Sequence, residues 1–324
     1  MAKAVRIHEV GGPAVLKLEE VAVAAPEAGE AVVRQAAVGV NFIDIYHRTG
    51  LYPLPLPATI GLEGAGVVEA VGPDVSEVRP GDRVAYAGGP IGAYAERRTV
   101  PAARLVPLPP EISFETAAAS MLKGMTAWYL IRRTHRVERG EPILVHAAAG
   151  GVGQILCQWA AGLGAKVIGA VGSEAKAEIA LSRGCAHAIV LGRGSFAAQV
   201  RELTGGEGVA VVYDSVGKAT WEGSLDSLRP LGLMVTFGNA SGPVPPVSPL
   251  ELSAKGSLFL TRPALAHYTA RREDALAGAR ELFAELLAGR VRVAAPRRFA
   301  LGEAAEAHRA LEERRTTGST ILVP

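Results

Sequence analysis

Ile143-Leu144-Val145-His146-Ala147-Ala148-Ala149-Gly150-Gly151-Val152-Gly153 is the stretch on which the reading of the fold turns. A short apolar run breaks into small residues, and an apolar helical run through Ile155, Leu156 and Trp159 follows. The pattern is an Ala-x-x-Gly-x-x-Gly variant of the dinucleotide-binding turn. Glycines remove the Cβ atoms that would hold a backbone away from a pyrophosphate. The helix that follows aims unpaired N–H groups and its positive end at those anions. Ala147, Gly150, Gly151, Val152 and Gly153 are therefore candidate cofactor contacts, and Gly153 also permits close packing of helix on strand.

Alone, such a turn is a weak signal, because an ordinary strand-to-helix connection can use the same residues. Its context is what counts. Candidate strands run over 143–147, 166–171, 186–191, 209–214, 231–237 and 257–260, with helical or connecting segments between them. Strands separated in this way indicate an α/β fold with a doubly wound, mostly parallel sheet.

The end of the second strand decides which dinucleotide is held. An NAD enzyme places an acidic residue there for the ribose 2′-hydroxyl. This strand ends Val171-Gly172-Ser173, and Lys176, with Arg193 after the third strand, offers positive charge to a 2′-phosphate. NADPH is the expected cofactor. Glu174 competes, since it lies beside the same turn and can point at the ribose. Solvated surface positions are the rival reading for Lys176 and Arg193.

Upstream, residues 4–108 are short β-branched stretches broken by Gly and Pro, at 30–38, 64–71, 82–86 and 94–100. They predict an antiparallel, barrel-like β region. An Ala-rich helix should cover 113–130, with Ser113 as its N-cap. Past Arg262-Pro263, helices are expected over 273–289 and 302–314, and a closing strand over 319–323 returns to the N-terminal β region.

The 324-residue length exceeds what one hydrophobic core usually organises, so two domains are expected. Lys+Arg of 34 against Asp+Glu of 32, interspersed along the chain, argue against nucleic acid as a partner. The pI of about 8.6 agrees, lying below the value of roughly 9 that marks nucleic-acid binders. Cys157 and Cys185 are the only cysteines and lack zinc-site or disulfide spacing, which fits a reducing cytoplasm. The N-terminus reads as no signal peptide, and no apolar run reaches the ~18 residues of a membrane span.

Several stretches carry a family resemblance: Gly39-Val40-Asn41-Phe42-Ile43-Asp44, Gly50-Leu51-Tyr52-Pro53, Gly81-Asp82-Arg83-Val84, Lys123-Gly124-Met125-Thr126-Ala127, His146 to Gly153, Tyr213-Asp214-Ser215-Val216-Gly217 and Phe237-Gly238-Asn239. In this order they resemble the medium-chain dehydrogenase/reductase superfamily over essentially the whole chain, and in particular its zinc-free, zeta-crystallin-like quinone oxidoreductases. The resemblance implies a GroES-like, mainly antiparallel β catalytic domain over 1–122 and 263–324 and a Rossmann domain binding NADPH over 123–262. Zinc-dependent alcohol dehydrogenases of the superfamily have a Cys ligand where this chain has Asn41, and a Gly-His-Glu motif where it has Gly61-Leu62-Glu63. No Cys precedes residue 157, so the structural-zinc lobe is missing as well. Zinc is therefore not expected.

Without a Lewis acid to stabilise an alkoxide, an electron-poor acceptor such as a quinone becomes the natural substrate. NADPH, a proton and quinone would give NADP+ and hydroquinone. The resemblance places Asn41, Tyr46 and Tyr52 around the nicotinamide and the acceptor, and Thr126 at the carboxamide. Core packing is the rival reading for the tyrosines. By the same resemblance Gly150, Gly153, Gly172, Ser173 and Lys176 hold the adenosine and phosphate end. Phe237, Gly238 and Asn239 fall at the nicotinamide end, Ser215 is a further cofactor-binding candidate, and Arg262 and Arg314 are weaker candidates. Arg193 would replace a tyrosine of the relatives, where this chain has Leu191. His47 and His146 show no partner in the sequence and are not expected to act as acid or base. The resemblance also implies a homodimer through the strand near 256–260. Two other readings are a 2-alkenal or enoyl reductase and a non-catalytic NADPH-binding protein that also binds RNA; the near-neutral charge argues against the RNA role.

Overall fold

The β-branched runs of the first hundred residues pair as antiparallel sheets in the computed structural model, which describes residues 1–313 and 315–324. Strands β1 (Ala2–Ile7), β2 (Lys17–Val21) and β3 (Glu30–Val40) precede helix α1 (Phe42–Thr49). Then come β4 (Ala58–Thr59), β5 (Glu63–Val71), β6 (Arg83–Ala87), β7 (Arg97–Pro101), β8 (Val106–Pro107) and α2 (Phe114–Tyr129). The parallel region comprises β9 (Pro142–His146), α3 (Gly151–Gly162), β10 (Lys166–Val171), α4 (Glu174–Ser182), β11 (His187–Val190), α5 (Phe196–Leu203) and β12 (Val209–Asp214). It continues through α6 (Trp221–Asp226), β13 (Leu228–Thr236), α7 (Pro249–Ala254), β14 (Phe259–Thr261) and α8 (Leu265–Tyr268). The chain closes with α9 (Arg272–Leu287), β15 (Arg297–Ala300), α10 (Ala304–Glu312) and β16 (Thr320–Val323).

Two compact units emerge. The first comprises Met1–Met125, Thr269–Leu287 and Val293–Pro324; the second comprises Thr126–Tyr268 and Ala288–Arg292. In the first, β3 is the central strand and pairs antiparallel with β5, β7 and β16. The closing strand thus returns to the N-terminal β region, as its composition predicts. Val33, Val38, Val68, Val84, Tyr94 and Leu322 are among the side chains that fill this core. Ser113 caps α2 by accepting the Thr116 N–H at 3.1 Å.

In the second unit all six strands are parallel, in the order β11-β10-β9-β12-β13-β14. Numbered within the sheet this is 3-2-1-4-5-6, the doubly wound Rossmann order. The central strand β12 is buried along its whole length, as expected where helices cover both faces of a parallel sheet. The chain order reverses between β9 and β12, and such a switch point opens a crevice at the strands' carboxyl ends.

Three strand starts differ from the sequence expectation by more than one residue: the stretch expected from 94 becomes a strand only at Arg97, Ala95 making an isolated bridge with Ala4 instead, and two starts in the parallel sheet shift. The last strand begins at Phe259 rather than 257, because Ser257 has φ +57° and Gly256 φ +109°, outside extended geometry. The fifth begins at Leu228 rather than 231, with Leu231 itself at φ +61° in an irregular stretch. Among the described residues no helix is long and apolar enough to cross a membrane.

Candidate functional site

In the second unit, β9 ends at His146 and the chain turns through Ala147, whose φ of +50° is rare for a residue with a side chain. The Ala147 carbonyl accepts the Gly150 N–H at 2.8 Å, which closes the turn. Gly150 then stands at the N-cap of α3 with no side-chain cap, so the N–H groups of Gly151, Val152 and Gly153 at the first helical positions meet no capping side chain. A Cβ at Gly153 would lie 2.3 Å from the Ala147 carbonyl oxygen and 2.8 Å from the Ala148 Cα, so only glycine lets helix and turn approach this closely. The result is a tight backbone turn that leads into a helix N-terminus without a side-chain cap, which fits a dinucleotide pyrophosphate.

At the end of β10, Gly172 faces open space, since an added Cβ would meet nothing within 4 Å. Ser173 caps α4 by accepting the Lys176 backbone N–H at 3.4 Å. Ser173 is exposed and Lys176 half-buried. Arg193 forms an ion pair with Glu174. The carboxylate that threatened the 2′-phosphate reading is thus drawn towards a cation of the same cluster, although both side chains are largely exposed and such pairs are weak.

The turns after β12 and β13 are joined along their length. Phe237 N–H donates to the Asp214 carbonyl at 2.8 Å, and Ser241 N–H to the Val216 carbonyl at 2.8 Å. Gly238 packs on Ser215 so closely that a Cβ would come within 2.3 Å of the Ser215 carbonyl oxygen. Ser215, Phe237, Gly238 and Asn239 are therefore brought together. Arg262 braces them, donating to Thr236 Oγ1 and to the Gly238 carbonyl, each at 3.0 Å. Thr126 lies half-buried on α2. Arg314 lies outside the described residues.

His146 has partners that its sequence position concealed. Its Nε2 lies 2.9 Å from Ser224 Oγ, which donates at 2.9 Å to Asp214 Oδ2, and Thr220 Oγ1 donates to that oxygen at 2.7 Å. Asp214 Oδ1 accepts the Val216 and Gly217 N–H groups at 2.7 and 3.0 Å. Burial lowers the affinity of His146 for a proton, opposed by the charge of Asp214. With all of these groups sealed from water, the arrangement anchors the turn after β12 rather than forming a nucleophilic triad.

In the first unit Asn41 precedes α1, and its backbone N–H donates to Asp44 Oδ2 at 2.8 Å. Its side-chain Nδ2 donates to Glu63 Oε2 at 2.8 Å. Tyr46 and Tyr52 meet edge to face with centroids 5.3 Å apart. Tyr46 is buried, whereas Tyr52 is half-exposed. Burial lowers the affinity of His47 for a proton. Leu62 is 7% exposed, and among the described residues no group of three or more His, Cys, Asp or Glu side chains is gathered to hold a metal.

Asp44, Glu63 and Lys123 do not stand out as chemical groups in the sequence, although all lie in or beside the quoted motifs. A signal was available. Asp44 stands three residues after Asn41, as in an N-terminal cap, and Lys123 is the one charged residue between Glu115 and Arg132. Asp44 is fully buried, and burial lifts its carboxyl from 3.8 to about 7 against the opposing pull of the Asn41 N–H and the Tyr94 hydroxyl. Tyr94 Oη donates to Asp44 Oδ2 at 3.0 Å and lies 2.9 Å from His308 Nε2. Burial and the charge of Arg48 hold His308 neutral, down to about 3.

A raised carboxyl contributes stability that is fully present below about pH 4 and is lost as pH rises through about 7. Asp44→Asn mimics the protonated acid at every pH. Its stability relative to the parent should therefore climb by about 1.4 kcal/mol per pH unit between roughly pH 4 and 7, then level off. Urea unfolding across that range checks it; a pH-independent difference would refute the raised carboxyl.

Residues 27–110 match the alcohol dehydrogenase GroES-like domain and residues 151–283 the zinc-binding dehydrogenase domain. The chain is 52% identical over 325 residues to a quinone oxidoreductase of Pseudomonas aeruginosa, covering 100% of both. It is 46% identical over 332 residues to a 2-haloacrylate reductase of a Burkholderia species, covering 100% of this chain and 99% of that one. The solved structure of Escherichia coli quinone oxidoreductase complexed with NADPH matches with a TM-score of 0.98 at 46% identity, covering 100% of both chains. With the Rossmann strand order and the GroES-like unit already in place, these full-length likenesses show that the chain belongs to the quinone oxidoreductase family of the medium-chain dehydrogenases/reductases.

Proposed function

We propose that this chain reduces quinones with a hydride from NADPH, without zinc. The observation that carries the reading is at Asn41. Where zinc relatives place a thiolate ligand, this chain has a carboxamide held by a buried carboxylate, a group that donates hydrogen bonds and binds metals poorly. The first unit would serve as the acceptor domain and the second as the cofactor domain.

Bound NADPH would supply the hydride. Backbone N–H groups of the turn from Ala147 through Gly150, Gly151, Val152 and Gly153 would hold its pyrophosphate. Gly172 and Ser173 would make room for the 2′-phosphate, with Lys176 and Arg193 as donors, Arg193 exchanging Glu174 for the phosphate. Thr126, Ser215, Phe237, Gly238 and Asn239 would hold the nicotinamide end, with Arg262 bracing the turn. One Asn41 N–H is engaged by Glu63; the amide's second N–H remains to donate to a quinone oxygen as negative charge develops there. Tyr46 and Tyr52 would wall the acceptor and exclude water, so that positioning supplies much of the rate.

A second reading is reduction of an activated carbon–carbon double bond, favoured by the 46% identity to the 2-haloacrylate reductase. A cytoplasmic location is part of the proposal. So is a homodimer through β14, which pairs on one side with β13 and leaves Phe259 59% and Leu260 37% exposed. Light scattering should give twice the chain mass; a monomer would remove the dimer.

Anaerobic NADPH oxidation should be faster, by kcat/KM, with quinones than with 2-alkenals or 2-haloacrylate, and unchanged by a chelator. Turnover of the alkenes alone would transfer the proposal to the second reading. Lys176→Ala should raise KM for NADPH roughly tenfold or more while leaving NADH kinetics unchanged, as expected for loss of a charge-assisted bond. Equal use of NADH and NADPH by the parent enzyme would sink the cofactor assignment.

A further inference from the structure

Glu63 opens β5 with no exposure to water. Its Oε1 accepts the Leu122 backbone N–H at 2.7 Å. Its Oε2 accepts both the Asn41 amide at 2.8 Å and the Lys123 ammonium at 3.0 Å. Room for the carboxylate is made by Gly39, where a Cβ would lie 2.0 Å from Oε2 and 2.4 Å from the Ala118 carbonyl oxygen. Residues two apart in extended chain share a face, and Asn41 keeps extended geometry at φ −136° and ψ 156°. Glycine at 39 and carboxamide at 41 are thus fitted to the same buried carboxylate.

Two sealed charges stabilise a fold no better than apolar residues of the same volume commonly would. This pair has a specific geometric effect instead. A carboxamide can exchange its oxygen and nitrogen by rotation with little change of shape. An ionised carboxylate only accepts, so it holds Nδ2 towards itself and Oδ1 away. Lys123 places the opposite charge 3.0 Å from Glu63 Oε2, and the buried Asp44 carboxyl feels both Glu63 and Lys123. The Tyr86 and Tyr94 hydroxyls, also within the field of Glu63, bring no positive charge.

We propose that Glu63 and Lys123 are positioning residues for hydride transfer: the ion pair locks the Asn41 amide in one of its two orientations, presenting the same donor to the acceptor at every turnover. The inference rests on Asn41 as an acceptor contact. The test measures quinone kinetics, NADPH binding and thermal unfolding for Asn41→Ala, Glu63→Gln, Lys123→Met, Lys123→Arg and the combined Asn41→Ala/Lys123→Met. Glu63→Gln and Lys123→Met should each lower kcat about tenfold or more, with the Kd for NADPH within about threefold of the parent. Lys123→Arg should recover most of the loss. In the Asn41→Ala background Lys123→Met should remove less than about a further twofold, because its target is gone.

An equal loss in both backgrounds would overturn the inference while leaving the role of Asn41 intact. If instead Asn41→Ala leaves quinone turnover unchanged, the acceptor reading of Asn41 fails and the positioning role with it. Should Lys123→Met not fold, Glu63→Gln/Lys123→Met removes both charges together. It should be soluble and show the same loss in kcat, and full activity in it would overturn the inference.

Discussion

A carboxylate sealed from water must be surrounded by donors, and meeting that requirement for Glu63 organises the interior of the first unit. One donor is a backbone N–H of α2, one a lysine of the same helix, and one the amide beside α1. Two stretches of chain therefore converge on the carboxylate of a third. None could shift by much without leaving a buried charge unpaired, a penalty of several kcal/mol. Gly39 belongs to the same constraint, since the space it leaves is the space the carboxylate fills.

A second polar chain continues from Asn41 through α1. Asp44 accepts from the Asn41 backbone and from Tyr94, Tyr94 contacts His308, and His308 contacts Arg48. Arg48, 1% exposed, ends the series in a two-pronged pair with Glu312 at 2.5 and 3.0 Å. The helix that carries Tyr46 is thereby tied to α10 by directional bonds. Hydrophobic contact alone would tolerate sliding, whereas a fork of two N–H bonds on a carboxylate does not.

The second unit reaches its geometry by another route. Its cradle is backbone throughout, shaped by a residue at positive φ and by a glycine that admits no Cβ. What side chains contribute there is anchorage: the buried set of His146, Ser224, Thr220 and Asp214 links the end of β9 to the end of β12, the two strands at which the sheet order reverses. Backbone donors need no particular side chain, which explains why small residues suffice over 147–153. A carboxamide in an apolar interior needs its own partners, which explains the charged residues around Asn41.

The parallel sheet, the antiparallel region, the glycine turn after β9 and the return of the last strand were legible in the amino-acid order, because hydrophobic period and glycine placement are local properties. Asn41 and Leu62 in place of metal ligands were equally legible, given the resemblance. Strand starts near Leu228 and Phe259 differ from the sequence expectation by two or three residues, since left-handed backbone at Gly256 and Ser257 delays one strand and at Leu231 makes the other irregular inside its length, without changing composition. Apart from the local contact between Asn41 and Asp44, the partners of Asn41, Asp44 and His146 were not legible. Glu63 and Lys123 are 60 residues apart, and Asp44, Tyr94 and His308 are more widely spread still. Sequence determined which elements form and which residue types are available. Only tertiary structure decided which charge meets which, because a buried ion finds its counterion through packing of distant segments and local pattern carries no record of that meeting.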